Sequence, residues 1–395
     1  MLRFLTAGES HGPSLVVVVE GLPAGLAVDA DDLAAELARR RLGFGRGPRM
    51  RFERDQVRLL GGVRHGRTLG SPVAVEVANT EWPKWQEEMK AAPGTPSQRL
   101  TAPRPGHADL AGMLKYSFDD ARDVLERASA RETAARVAAG YLAKALLATI
   151  GVTVVSHVVR IGAAASSGPR PAPADLAAVD ASEVRCLDVA AAEAMVAEIR
   201  AAAKVGDSLG GVAEVVAYGV PVGLGSYVHW DRKLDGLLAG ALMSIHAVKA
   251  VEIGDGTIQA AQRGSVAHDA ITTAAGHARG GGFERRGDHA GGLEGGVSSG
   301  APIIARVSMK PLATLNRPVL ETVDLATGES TVSFKERTDV TAVPALGVVA
   351  EAMTALVLAR EAQRKFGGDT VEEFTRNLEG YLEGLGSHAS SARPA

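Results

Sequence analysis

The chain is short of sulfur, short of aromatic rings and without a strong excess of either charge. Its one cysteine, Cys186, excludes an intrachain disulfide and suits a reducing compartment. The thiol itself reads as a surface or loop residue. Aromatic residues make up 4% of a chain that is 46% hydrophobic, so Val, Ala and Leu must build the core. A net charge of −3 excludes a global attraction to nucleic acid or anionic membrane, and any anion binding must come from local clusters. No stretch approaches ~18 uninterrupted apolar residues, so no membrane span is expected. The first residues, MLRFLTAGESHG, hold no apolar run of signal-peptide length. Together these absences lead us to expect a soluble, cytoplasmic protein. Its 395 residues suffice for one large domain or two to three ordinary ones.

What is present alternates between strand and helix signals. Ser14 to Glu20 (SLVVVVE) reads as a short buried strand, and Pro72 to Ala78 as another. Asp29 to Leu42 reads as a helix, with acids in its first turn, three arginines in its last and Gly43 as a cap. Ser129 to Ile150 carries the strongest helical pattern, opened by a capping box in which Ser129 bonds the backbone and Glu132 reaches back. Val152 to Ile161 and Gly211 to Val220 read as strands, and Ala190 to Lys204 and Leu234 to Val248 as helices. Ala163 to Asp175 reads as loop. So does glycine-dense His268 to Gly300, and a structureless run that long is functional or mobile. Ala301 to Met309 is a strand, Pro344 to Lys365 a helix, and the last ~15 residues a polar, frayed tail. There is no internal repeat and no clear linker. Strands and helices mix without strict βαβ alternation, which predicts an α+β fold in one domain.

Two segments set a histidine among glycines beside a carboxylate: Gly8-Glu9-Ser10-His11-Gly12, and Arg104 to Asp109 (RPGHAD). Imidazole changes charge near neutrality, and glycine lets backbone approach a ligand closely. The pair suggests two acid/base groups meeting in one pocket, although a turn histidine bonding backbone explains His107 equally well. Arg39, Arg40, Arg41, Arg46, Arg49, Arg51 and Arg54 fall within sixteen residues around Gly43-Phe44-Gly45. Guanidinium forks fit phosphate and carboxylate oxygens, so this run reads either as an anion cradle or as a solvated basic helix end. Few aromatics accompany it, which disfavours nucleic acid. Arg127 to Thr133 would open the long helix, where free N–H groups and two arginines suit an anion. Gly291 to Gly300 is glycine-rich but has neither the Walker A nor the G-x-G-x-x-G spacing; it suits close ligand approach or a hinge. No histidine spacing suits zinc, so no metal site is expected.

Taken in order, GESHG, RRRLGFGRGPRM, VRHGRTLGSP, RPGHADLAGMLKY, RASARETAARVAAG, HAVKAVEIGDG, AGGLEGGVSSG, KERTD and AVPALGVVAEAM resemble the chorismate synthase family over about residues 1 to 375, leaving 376–395 as tail. ANTEWPKW is similar to actinobacterial members. The resemblance implies a single-domain β-α-β sandwich, usually a homotetramer, with no nucleic-acid or membrane partner. It also implies a 1,4-anti elimination of phosphate from 5-enolpyruvylshikimate 3-phosphate, giving chorismate with reduced FMN required and no net redox change. NADPH enters only in members that reduce their own flavin; a separate flavin reductase is the other source.

The catalytic residues implied are His11 at the leaving phosphate, His107 beside the flavin and Asp339 assisting at flavin N5. Ser10, Arg40, Arg46, Arg49, Arg131 and Arg337 would bind substrate. Arg127, Ala128, Ser129, His246, Ala247, Gly295, Lys310, Pro311, Leu312, Ala313, Thr314 and Arg337 would bind FMN. His246, Asp288, Thr338 and the pair Asn316 and Arg317 depart from the family's usual residues, all on the expected flavin side. A flavin- or phosphate-binding homologue with impaired turnover is the alternative they raise.

Overall fold

A computed structural model describes residues 1–47, 55–274, 276–317, 319–334 and 339–391, with side chains through residue 385. Strands β1 (Arg3–Ala7) and β2 (Ser14–Glu20) pair antiparallel, and helix α1 (Ala30–Arg41) follows. Strands β3 (Gln56–Gly61) and β4 (Val73–Ala78) complete a four-stranded antiparallel sheet in the order β1-β2-β4-β3. The valine run of β2 is not buried throughout. Leu15, Val17 and Val19 face the core, while Val18 points outward and is 37% exposed, because successive side chains in a strand alternate between faces.

The middle of the chain is helical. Helix α2 (Asp109–Tyr116) and α3 (Arg122–Ala128) precede the long α4 (Thr133–Ala148). Strand β5 (Thr153–Ile161), helix α5 (Val189–Val205), strand β6 (Gly211–Tyr218), helix α6 (Leu234–Met243) and strands β7 (Val248–Ile253) and β8 (Ile303–Met309) come next. A second antiparallel sheet runs β7-β8-β6-β5 and ends on the two-residue strand Ala164–Ala165. Helices α7 (Val343–Phe366) and α8 (Val371–Ser391) close the chain.

Helix α4 packs on the first sheet, α7 on the second, and the two helices pack on each other. The result is the β-α-β sandwich that the resemblance implies. The helices cross closely at Gly140, where a Cβ would stand 2.3 Å from that of Ala352. Helix α7 is long and apolar enough to cross a membrane, but here it is the core helix, buried along most of its length.

Several elements differ from expectation for visible reasons. The long helix begins at Thr133, not Ser129. Ser129 is extended (ψ 141°) between α3 and a 3-10 turn, Ala130–Glu132. Its hydroxyl accepts from Arg131 N at 3.3 Å, and the Glu132 carboxylate serves Thr6 and Arg136 instead of reaching back. Helix α6 stops at Met243, where the Ser244 hydroxyl donates to the Ala241 carbonyl, and Ala247 adopts a φ of 63° before β7. The 268–300 stretch contains short paired strands, Ile271–Thr273 with Phe283–Arg285 and Leu293–Glu294 with Val297–Ser298. The boundary expected at 375 falls inside α8, whose Phe374 and Leu378 join the core. Cys186 is buried rather than at the surface, packed with Val158, Val184 and Met195, and burial pushes its thiol up.

One buried carboxylate links these layers. Glu351, mid-helix in α7 and without solvent exposure, accepts from Arg39 (2.7 and 2.9 Å), Lys144 (2.5 Å), Ser156 (2.7 Å) and Arg185 (3.3 Å). Burial alone would raise its pKa, but the charges of Lys144, Arg39 and Arg185 outweigh that and hold it well below the usual carboxylate value of 4.5. A depressed folded-state pKa contributes stability above the unfolded value and loses it as pH falls. Glu351→Gln is therefore expected to cost about 3–5 kcal/mol at pH 7, the range for breaking a buried ion pair. The gap to wild type should narrow as pH drops below 4.5. Urea unfolding across pH checks this, and a pH-independent gap refutes it.

Candidate active site

The loop between β1 and β2 carries His11. Gly8 opens it at φ 103°, and a Cβ there would lie 2.4 Å from the Ser14 carbonyl oxygen, so the turn requires glycine. Asn79, at the end of β4, holds the loop by donating from Nδ2 to the carbonyls of Gly12 (2.7 Å) and Glu9 (3.1 Å). Helix α3 meets it from the other side. Ser10 N donates to Glu126 O at 3.0 Å, and His11 N to Glu126 Oε2 at 2.8 Å. His11 Nδ1 lies 2.9 Å from Glu126 Oε1. The imidazole also stacks on Trp85, with centroids 4.1 Å apart.

Burial would push the Glu126 carboxyl up, yet the hydrogen bonds from His11 and the charges around it, Arg122 included, hold it below the usual range. An ionised carboxylate only accepts, so Nδ1 of His11 carries the shared proton.

The arginine run divides by direction. Arg39 turns inward to Glu351 and Asp180. Arg40, 3% exposed, points the other way: Nη2 is 3.9 Å from Asp55 Oδ2 and Nη1 is 3.4 Å from Thr133 Oγ1. Arg131 reaches the same carboxylate through Asp55 Oδ1 and donates from Nε to Asn79 Oδ1 at 3.0 Å. Two buried guanidiniums thus share Asp55 next to the His11 loop, and the Ser129 hydroxyl links that end to Ser10 at 3.1 Å. Arg127 is the penultimate residue of α3, not the start of the long helix. Its guanidinium holds the Gly8 and Thr6 carbonyls at 3.1 and 2.9 Å.

Arg46 pairs with Asp339 at 3.0 Å, and Gly47 N donates to the same carboxylate at 2.5 Å. Among the described residues no hydrogen bond or ion pair joins Arg46 to His11. Arg49, Arg337 and Thr338 lie outside the described residues.

His107 belongs to a second unit. Gly106 (φ 78°) turns the chain so that His107 Nδ1 meets Asp109 Oδ1 at the start of α2. Arg104 holds the same carboxylate with its backbone N (3.1 Å), Nε (2.8 Å) and Nη2 (3.1 Å). Asp109 has no solvent exposure. Burial would raise it, but His107 and Arg104 hold it well below the ordinary carboxylate range. Lys310 donates to the Gly106 carbonyl, Thr314 Oγ1 accepts from Arg104 at 3.1 Å, and Lys310 N donates to Ala247 O at 3.0 Å. The 310–314 loop, anchored by Ser208 Oγ on Leu312 O at 2.8 Å, therefore joins His107 to the His246-Ala247 turn. Among the described residues, His246 Nδ1 is buried with no hydrogen-bond partner. Burial lowers the His246 pKa, followed by opposing effects of Glu132 and of Arg136, His107 and Arg127. A neutral ring with such a nitrogen has a place for a polar ligand atom or a water.

Gly295 is not brought to these residues. It turns the Leu293–Ser298 hairpin and lines a separate cleft of about 770 Å³ with Asp235, Glu252, Thr257 and His268. Nor do the described departures gather with His246. Asp288 pairs with Arg170, and Arg317 N donates to Gly206 O at 3.2 Å beside the end of α5. Of the partners that complete the site, Arg104 stood in the RPGHAD segment and Asn79 and Trp85 in ANTEWPKW without a role given to them, and Glu126 and Asp55 were not singled out from sequence. Only Arg122 and Glu126, four apart, left a helical-pair signal there.

Comparison with known proteins identifies the family. The sequence matches the chorismate synthase family over residues 2–362. It is 61% identical to the chorismate synthase of Frankia alni, over 98% of this chain and 100% of that one. It is 58% identical to that of Thermobifida fusca, over 98% and 99%. A crystal structure of a chorismate synthase superposes with a TM-score of 0.79 at 38% identity, covering 98% of both chains. With both histidine–carboxylate units and the buried arginines on the matched segments, the chain belongs to the chorismate synthase family.

Proposed function

We propose that this chain is a chorismate synthase, a carbon–oxygen lyase that eliminates phosphate from 5-enolpyruvylshikimate 3-phosphate to give chorismate. One observation carries the reading: two histidine–carboxylate units, His11–Glu126 and His107–Asp109, stand on glycine-bearing loops beside buried arginines in a chain that matches the family nearly end to end. The substrate carries a phosphate and two carboxylates, and Arg40, Arg46 and Arg131, with Ser10, are the groups we assign to it. Arg49 and Arg337 are assigned to the same anion. His11, its Nδ1 committed to Glu126, acts through Nε2 on the leaving phosphate.

The His107 side fits a flavin. The unsatisfied Nδ1 of His246 offers a partner to a polar ring edge, and the Ala247 turn and the 310–314 loop converge on His107. Arg127, Ala128, Ser129, His246, Ala247, Lys310, Pro311, Leu312, Ala313, Thr314 and Arg337 would hold it; Gly295, on its separate cleft, is not among them. Reduced FMN, when bound, supplies transient electron density to the substrate with no net redox change. Asp109 fixes the Nδ1 proton of His107, leaving Nε2 to hold a proton at the flavin. Asp339, tied to Arg46, couples the arginine side to the flavin side. We read Arg40 and Arg46 as substrate ligands first, and NADPH as a reductant only where the chain reduces its own flavin; a separate reductase is the other supplier.

The same reading includes a cytoplasmic homotetramer. The outer face of the first sheet supports an assembly: cross-strand partners Leu5 and Val18 are both exposed there.

Anaerobic incubation with the enolpyruvyl substrate and reduced FMN is expected to release phosphate and form chorismate. Tight flavin binding without phosphate release would instead favour a binding homologue. His107→Ala is expected to fold, since Asp109 keeps Arg104, and to lower turnover about 10²- to 10⁴-fold. Loss of folding, read by circular dichroism, would mark His107 as a structural residue. Arg46→Ala should weaken substrate binding more than FMN binding in separate titrations, and equal losses would contradict its assignment.

A further inference from the structure

Trp85 takes no part in the chemistry assigned above, yet it is built into the setting of His11. It ends the short helix Trp82–Trp85, whose first amide donates to Asn79 O at 3.1 Å. The side chain of Asn79 holds the His11 loop. Indole and imidazole therefore hang from one asparagine. The two rings stack at 4.1 Å with 30° between their planes. Arg122 lies over the same indole at 4.9 Å and donates to Glu126 at 3.0 Å. Glu126 in turn holds Nδ1 of His11. The contacts close a ring: His11, Trp85, Arg122, Glu126 and back to His11.

Each member supplies something the others do not. The bond to Glu126 fixes the tautomer and the place of Nδ1. The indole against the ring face constrains a different coordinate, the plane of the imidazole, and with it the position of Nε2. A cleft of about 420 Å³ reaches Trp85 and Arg122, with Glu81, Lys84 and Glu88 around it, while His11 does not line it. Indole and guanidinium thus form the wall on that side of the histidine.

We propose that Trp85 is a positioning residue: its indole sets the plane of the His11 imidazole and so the direction of Nε2. The proposal rests on the role given to His11 above, and its test separates the two. Trp85→Leu removes the flat face and keeps apolar bulk; Trp85→Phe keeps a ring. Exchange of the His11 Cε1 hydrogen for deuterium, followed by mass spectrometry in the full chain without substrate, reads the setting of the imidazole alone. Anaerobic kinetics with reduced FMN read kcat and KM.

In Trp85→Leu, His11 exchange should quicken severalfold while His157, buried on the second sheet, stays at its wild-type rate. The same variant should lose about 10- to 100-fold in kcat, the scale of a small misplacement, with KM near wild type. Trp85→Phe should recover most of both. Unchanged exchange and kcat in Trp85→Leu would overturn the proposal. So would equal quickening at His157, which marks general loosening, or a failure of Trp85→Phe to rescue. Should the wild type form no chorismate, the functional reading fails, and the exchange rates still decide whether Trp85 sets the ring.

Discussion

A carboxylate without access to water is tolerated in a helix of Val, Ala and Leu only if its charge is met where it stands. Glu351 sets that condition for this fold. Arg39, Lys144 and Arg185 meet it, and Glu36 and Asp180 balance them, so three cations face three anions. These six residues come from α1, α4, α7 and the segment between β5 and α5. The network can close only if those elements approach together. Gly347, one turn before Glu351, leaves the room: a Cβ there would lie 2.7 Å from Arg185 Nη1 and 2.8 Å from Ser156 Oγ.

The consequence reaches the candidate site through helix geometry. Successive residues on a helix point about 100° apart. Once Arg39 is committed to Glu351, Arg40 must face elsewhere, and it faces Asp55 and Thr133 beside Arg131. A single buried ion-pair hub thus orients Arg40, the arginine proposed for the substrate anion, without touching it. The run Arg39-Arg40-Arg41 left cradle and basic helix end both open in the sequence. The structure gives Arg39 to the core and turns Arg40 to Asp55 and Thr133.

What could be read from the chain was what is local. Periodicity located most of the helices and strands, because burial of one face repeats every few residues. His107 and Asp109 were legible together because they are two residues apart, and one turn at Gly106 brings them into contact. Glu126 was not, because 115 residues separate it from His11 and only the packing of α3 on the β1–β2 loop joins them. The capping-box motif misled for a related reason. Ser129 and Glu132 have the spacing, but Thr6 and Arg136 take the glutamate in the folded chain. A working box lies at Thr370 and Glu373, where hydroxyl and carboxylate each accept from the other's backbone N–H at 3.1 and 3.2 Å. It opens α8, which runs on into the 376–395 segment expected to be a tail.

The two histidines therefore differ in how their settings are made. His107 is held by neighbours in sequence, with Arg104 and Asp109 on the same turn, so the setting forms once that turn forms. His11 depends on Glu126, Trp85 and Asn79, three segments that meet only when the first sheet, its return strand and α3 are in place. The role proposed for His11 needs its reacting nitrogen aimed at one atom, and long-range contacts supply rigidity that a single turn does not. The cost is dependence on distant packing: a substitution at α3 or at the end of β4 is felt at His11 before it is felt at His107.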